Sequence, residues 1–149
     1  MHKKIANVLR TIGNSKCLIK AKRLEADSFR SRALNLRDLG LEQRHIIAVA
    51  DVIRHEKDSY PITSISFSYN TLMGDIGATA LAKSLPTALS EMGLVDCGIG
   101  DIGGYTILNW MKSATHLNMI CMEQNTFSDK LKSEFRAFKA HHPDIVVVV

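Results

Sequence analysis

The chain has 149 residues, 46% of them hydrophobic and 23% charged, with a formal net charge of +4. This is the balance of one ordinary folded domain, and it excludes a disordered polyelectrolyte, which has too little apolar surface to form a core. No stretch approaches the roughly 20 apolar residues of a bilayer-crossing helix, and the opening Met1 to Arg10 lacks the apolar run of about 7–15 residues of a secretory signal, so the expected location is cytoplasmic, or extracellular after export without a classical signal peptide.

Cys17, Cys97 and Cys121 are an odd number at long spacings, and His141-His142 is accompanied by neither C-x-x-C nor H-E-x-x-H. This pattern predicts reduced thiols, no disulfide framework, no metal and no cofactor. The charge is uneven: residues 1–44 carry eleven Lys or Arg against four acids, a local balance of +7 that leaves −3 for the rest. The basic residues are scattered among apolar ones with no interleaved aromatic platform, which reads as a solvated surface rather than a nucleic-acid or membrane arm.

In chain order, Ile5, Val8, Leu9 and Ile12 fall at helical spacing before Gly13-Asn14, which predicts a short amphipathic helix over roughly 3–12. Cys17-Leu18-Ile19 reads as a brief strand, and Lys22 to Arg30 as another helix with Leu24 and Phe29 inward. Residues 1–32 fit no repeat and read as an N-terminal cap over the apolar end of the repeating units that begin at residue 33.

From residue 33 the chain divides into units over 33–61, 62–88, 89–116 and 117–142, with a terminal strand over 143–149. Each opens on an alternating pair, Leu34/Leu36, Ile65/Phe67, Met92/Leu94, Ile120/Met122 and Ile145/Val147, whose first members are 31, 27, 28 and 25 residues apart. Alternation puts each pair on one face of a strand and the residues between on the other. Each of the four units then carries a helical stripe: His45, Val49 and Ile53 beside Ile46 and Ala50; Ala78, Leu81 and Leu85; Ile107, Leu108 and Met111 with Trp110 at the edge; Leu131, Phe135 and Phe138.

Ile62, Ile65, Phe67, Asn70 and Leu72 satisfy L-x-x-L-x-L-x-x-N/C-x-L, as do Leu89, Met92, Leu94, Cys97 and Ile99, and Leu117, Ile120, Met122, Asn125 and Phe127. Over about residues 33–149 the chain thus resembles the leucine-rich repeat proteins, and its full helix per unit resembles their ribonuclease-inhibitor-like form. The resemblance implies an α/β right-handed solenoid, a short horseshoe with a parallel concave sheet of about five strands, convex helices and a helical N-terminal cap. It also implies that the Asn70 and Asn125 amides bond loop backbone groups and those of the neighbouring repeat. Cys97, at the equivalent position, reads as a small buried residue. Gly74-Asp75-Ile76-Gly77 and Gly100-Asp101-Ile102-Gly103 match no phosphate-loop pattern; close packing accounts for the glycines, and Asp75 and Asp101 read as caps or dipole partners of the helix start.

With no catalytic constellation in the chain, the expected function is a non-catalytic protein-interaction module that binds another protein through the concave face. The candidate partner-binding residues are Arg37, Ser64, Ser66, Tyr69, Glu91, Val95, Asp96, Cys121 and Glu123. They give the face a basic start, a hydroxyl-rich middle and an acidic stripe. Nucleic acid, membrane, metal and cofactor are not expected partners, and weak self-association through the strand at 144–149 is. The alternative is a GTPase-regulating protein similar to Ran GTPase-activating proteins, although neither Arg37 nor Arg44 matches their loop arginine; a bacterial effector engaging a host protein is a further alternative.

Overall fold

The computed structural model describes residues 1–27 and 31–149. Among these, two helices, α1 (His2–Ile12) and α2 (Ser15–Ala26), precede alternating strands and helices: β1 (Ala33–Asn35), α3 (Gln43–Glu56), β2 (Ser64–Ser66), α4 (Gly74–Ala82), β3 (Glu91–Gly93), α5 (Asp101–Ser113), β4 (Met119–Cys121), α6 (Asp129–His141) and β5 (Val146–Val148). The strands form one parallel sheet in the order β1-β2-β3-β4-β5, so the class is α/β. No helix of the described residues is long and apolar enough to cross a membrane.

Gly13 ends α1 in the left-handed region at φ 77°, and Asn14 at once starts α2, its Oδ1 accepting the Cys17 N–H at 2.8 Å. The strand expected at 17–19 is therefore helix. Cys17, Ala21 and Leu24 form its buried stripe, a helical period that an isolated reading of Cys17-Leu18-Ile19 hides. The expected inward position of Phe29 lies outside the described residues. Helix α1 packs against α2 and α3, and Lys4 pairs with Glu56 at the end of α3. The Glu56 carboxyl is held below its usual range by Lys4 and the chain's amino terminus.

The register places Leu34, Ile65, Met92, Ile120 and Val147 side by side. All five are buried with the inward stripes of α3–α6 in one apolar core, while their strand neighbours Ala33, Asn35, Glu91, Met119, Val146 and Val148 are exposed on the opposite, bare face. Three expectations are corrected. The fifth strand is two residues later than expected: Val147, 7% exposed, occupies the place assigned to Ile145. In the second unit Met73, fully buried, fills the core position assigned to Leu72, which is 66% exposed. Trp110, expected at the edge of its helix face, is buried.

The turns after the strands carry their own hydrogen-bond system. Asn70 Nδ2 donates to the carbonyls of Phe67 and of Leu36 in the preceding unit, and its Oδ1 accepts the N–H groups of Leu39 and Leu41. Asn125 repeats this with Met122 and Leu94 carbonyls and with Cys97 and Ile99 N–H groups. Each amide thus satisfies four main-chain groups that burial would otherwise leave unpaired. Cys97 donates its thiol to the Phe67 carbonyl at 3.3 Å; burial pushes its pKa up to about 12, so the thiol stays protonated and unreactive.

The paired glycines are sites of close approach. A Cβ on Gly77 would sit 2.9 Å from Met73 Cγ, and one on Gly103 would sit 2.8 Å from Asp75 Oδ1 and 2.9 Å from Ala78 Cβ. Asp75 does not cap its own helix. Its Oδ1 accepts from Gly100 N–H and Gly103 N–H at the start of α5, and Asp101 in turn accepts the Ser128 N–H ahead of α6 at 2.8 Å. The Ser128 hydroxyl, and then this N–H, hold the Asp101 carboxyl below its usual range.

Candidate partner-binding face

Strand alternation turns Ser64, Ser66, Glu91 and Cys121 out of the core, and the ladder carries the same face into the turns. The N–H groups of Asp38, Tyr69 and Asp96 donate to the carbonyls of Ser68, Val95 and Glu123 of the next unit at 2.7–2.9 Å. Arg37, Val95 and Glu123 therefore belong to one row, with buried Ser68 between the first two. Asp38, Tyr69, Asp96 and Gln124 form the next row, and all four have φ between 50° and 65°. A left-handed residue after each strand turns the chain toward its helix. Aspartate tolerates this conformation; tyrosine does so only where the surroundings impose it.

Seven of the nine expected residues, Arg37, Ser64, Ser66, Glu91, Val95, Cys121 and Glu123, line one open groove of about 310 Å³. Its floor is at Gly93, where a Cβ would lie 2.9 Å from Ser66 Oγ and 3.1 Å from Ser68 Oγ. Ser68 Oγ accepts the Val95 N–H and the Ser66 hydroxyl, so the serines are partly committed to one another. Glu91 is exposed, whereas one carboxylate oxygen of Glu123 is shut from solvent with no hydrogen-bond partner among the described residues. Cys121 is half-buried, and burial, then the charge of Glu123, raises its thiol pKa. It presents a neutral, polarisable surface rather than a thiolate.

The other two expected residues lie elsewhere. Tyr69 and Asp96 line a separate depression of about 600 Å³ at the turn end of the strands, together with Leu72, Leu39 and Asn14. Tyr69 is linked back to the groove by Arg37, whose guanidinium carbon is 4.3 Å from its ring centroid. Arg44 is paired with Glu42 at 3.0 Å. Sequence reasoning overlooks Gly93 and the depth it gives the groove, because a missing side chain registers only once its neighbours are known.

This arrangement can hold an extended or irregular partner surface: it is open, mixed in charge and shallow. Its acids Glu91 and Glu123 suit a hydrogen-bond donor or cation, and Arg37 an acceptor. Neither family models nor curated proteins give a match to the chain.

Proposed function

We propose that the chain is a leucine-rich repeat solenoid of the ribonuclease-inhibitor-like kind, acting as a non-catalytic module that binds another protein through its concave face. Support for the repeat reading comes from the recurring left-handed row at Asp38, Tyr69, Asp96 and Gln124 and from the matching Asn70 and Asn125 brackets. The binding role is carried by one observation: seven outward residues from four successive units converge on a single groove on the face that the helices leave bare.

Within this reading the partner places a cationic or N–H-bearing group beside Glu91 and Glu123. Glu123 Oε2, enclosed without a donor, gains one, and an enclosed carboxylate oxygen that finds its donor gains more than an exposed one. The test is quantitative partner capture from extract with the wild type beside Glu91→Lys combined with Glu123→Lys. The double variant is expected to melt at the wild-type temperature and to lose partners. Full retention of every captured partner would reject the groove as the working surface.

A further inference from the structure

Helix α2 has two stripes. Cys17, Ala21 and Leu24 enter the core; Lys16, Ile19, Lys20 and Arg23, at the same period, line an open depression of about 470 Å³ that Asn35 and Arg37 close from the β1 side. Four cations therefore border one space.

Their commitments differ. Lys16 pairs with Asp38 at 2.8 Å, and the face of the Arg37 guanidinium is taken by Tyr69, which leaves its N–H edge for a ligand. The side chains of Lys20 and Arg23 have no hydrogen bond or ion pair among the described residues. Lys20 is half-buried, and its ammonium is disfavoured by burial and then by Arg23, with Asp27 giving partial relief. Lys20, half-buried beside the like charge of exposed Arg23 and offset only in part by Asp27, is relieved by an anion in the depression. Ile19, 54% exposed, stands in the midst of these cations.

We propose that the depression between α2 and β1 binds an acidic segment of another polypeptide, whose carboxylates pair with Lys20, Arg23 and Arg37 and whose apolar side chain rests on Ile19. The apolar centre separates this site from one for phosphate polymers. A nucleic-acid site pairs its cations with aromatic platforms for the bases, and no aromatic side chain among the described residues lines this depression. Asp38 within the lining further disfavours a dense polyphosphate, while a peptide can place a neutral residue beside it. The site adjoins the groove over β2–β4 and shares Arg37 with it, but neither Lys20 nor Arg23 lines that groove.

The test measures fluorescence anisotropy with a short fluorescein-labelled peptide of alternating Asp, Glu and Leu. Wild-type protein binds it, with affinity falling as salt rises. Lys20→Glu with Arg23→Glu weakens binding by about tenfold or more and gains binding to a matched peptide with Lys in place of its acids. Lys20→Gln with Arg23→Gln gives an intermediate loss and supplies the reading if the charge reversal reduces helix content by circular dichroism. Equal wild-type binding of the acidic and lysine peptides overturns the proposal. So does tighter binding of a single-stranded oligonucleotide or of anionic phospholipid vesicles, lost in the same variants, since either would make the depression a phosphate site.

Discussion

Asp75 and Gly103 belong to different units of the fold, yet the carboxylate of the first accepts the N–H of the second at 2.9 Å and that of Gly100 at 2.8 Å. Gly100 is the N-cap of α5 and, being glycine, has no side chain with which to cap it. The cap is supplied from α4, so the two stacked helices are joined where α5 would otherwise leave unpaired donors.

Asp75→Ala is accordingly expected to destabilise the protein by about 1–2 kcal/mol, the usual cost of losing a cap. Asp75→Asn retains an acceptor oxygen and should recover most of that. Urea unfolding of the three proteins measures both, and equal midpoints for wild type and alanine variant would show that water replaces the carboxylate.

The two asparagine brackets differ in burial, Asn70 being fully buried and Asn125 half-buried. Asn70→Ala strands four enclosed main-chain groups, each costing about 1–3 kcal/mol when water cannot reach it, so it should cost about 3 kcal/mol or more. Asn125→Ala should cost less, because solvent can serve part of its set. Chemical denaturation ranks them, and the reverse order would contradict the burial argument.

Histidine protonation gives the stability a direction with pH. His2 is 2% exposed, with its ring edge-on to Tyr60 at 5.1 Å, and burial lowers its pKa below the ordinary 6.5. His45, lowered by burial and by Arg44, accepts the Glu42 N–H on Nδ1, a bond that requires the unprotonated nitrogen. In both, the unfolded chain binds protons more readily than the folded one. Stability from these groups is therefore complete above about pH 6.5 and declines as the pH falls from there toward their folded values. Urea midpoints at pH 7.5 and 5.5 should show the decline, and His2→Gln should flatten it.

Removal of residues 1–32 should expose Leu34, Leu36 and the α3 surface against which α1 packs, since Ile5, Ala6, Leu9, Cys17, Ala21 and Leu24 of the two leading helices are buried there. The expected product aggregates. A soluble truncation that melts cooperatively would show that the first strand needs no cover.

Period-two alternation makes four of the five strands legible, because a one-residue slip would turn Leu34, Ile65, Met92 and Ile120 out of the core. The fifth is misplaced where that signal fails: Ile145 to Val149 are all apolar and β-branched, so a slip by two residues keeps the same composition inside. The register of β5 comes from Val146 N–H on the Asn118 carbonyl and Met122 N–H on the Val148 carbonyl. Adjacent Leu72 and Met73 pose the same ambiguity in the second turn. Misreading the start of α2 as a strand hides the spacing of Lys16, Lys20 and Arg23. Bonds such as Asp75 to Gly103 escape sequence reading for another reason: they join positions far apart in the chain, and nothing local distinguishes a carboxylate that caps its own helix from one that caps the next.

The outward residues of β2 and β4 leave a hollow because β3 contributes a hydrogen atom at Gly93 where its neighbours contribute side chains. The interior is indifferent to that choice, since the missing group would point away from it. A single methyl at this position would press on Ser66 and Ser68 and fill the hollow from below, with every leucine, asparagine bracket and helix cap untouched. On the proposed reading, Gly93→Ala is expected to weaken partner capture while the urea midpoint stays near that of the wild type, which would separate recognition from folding by one carbon atom.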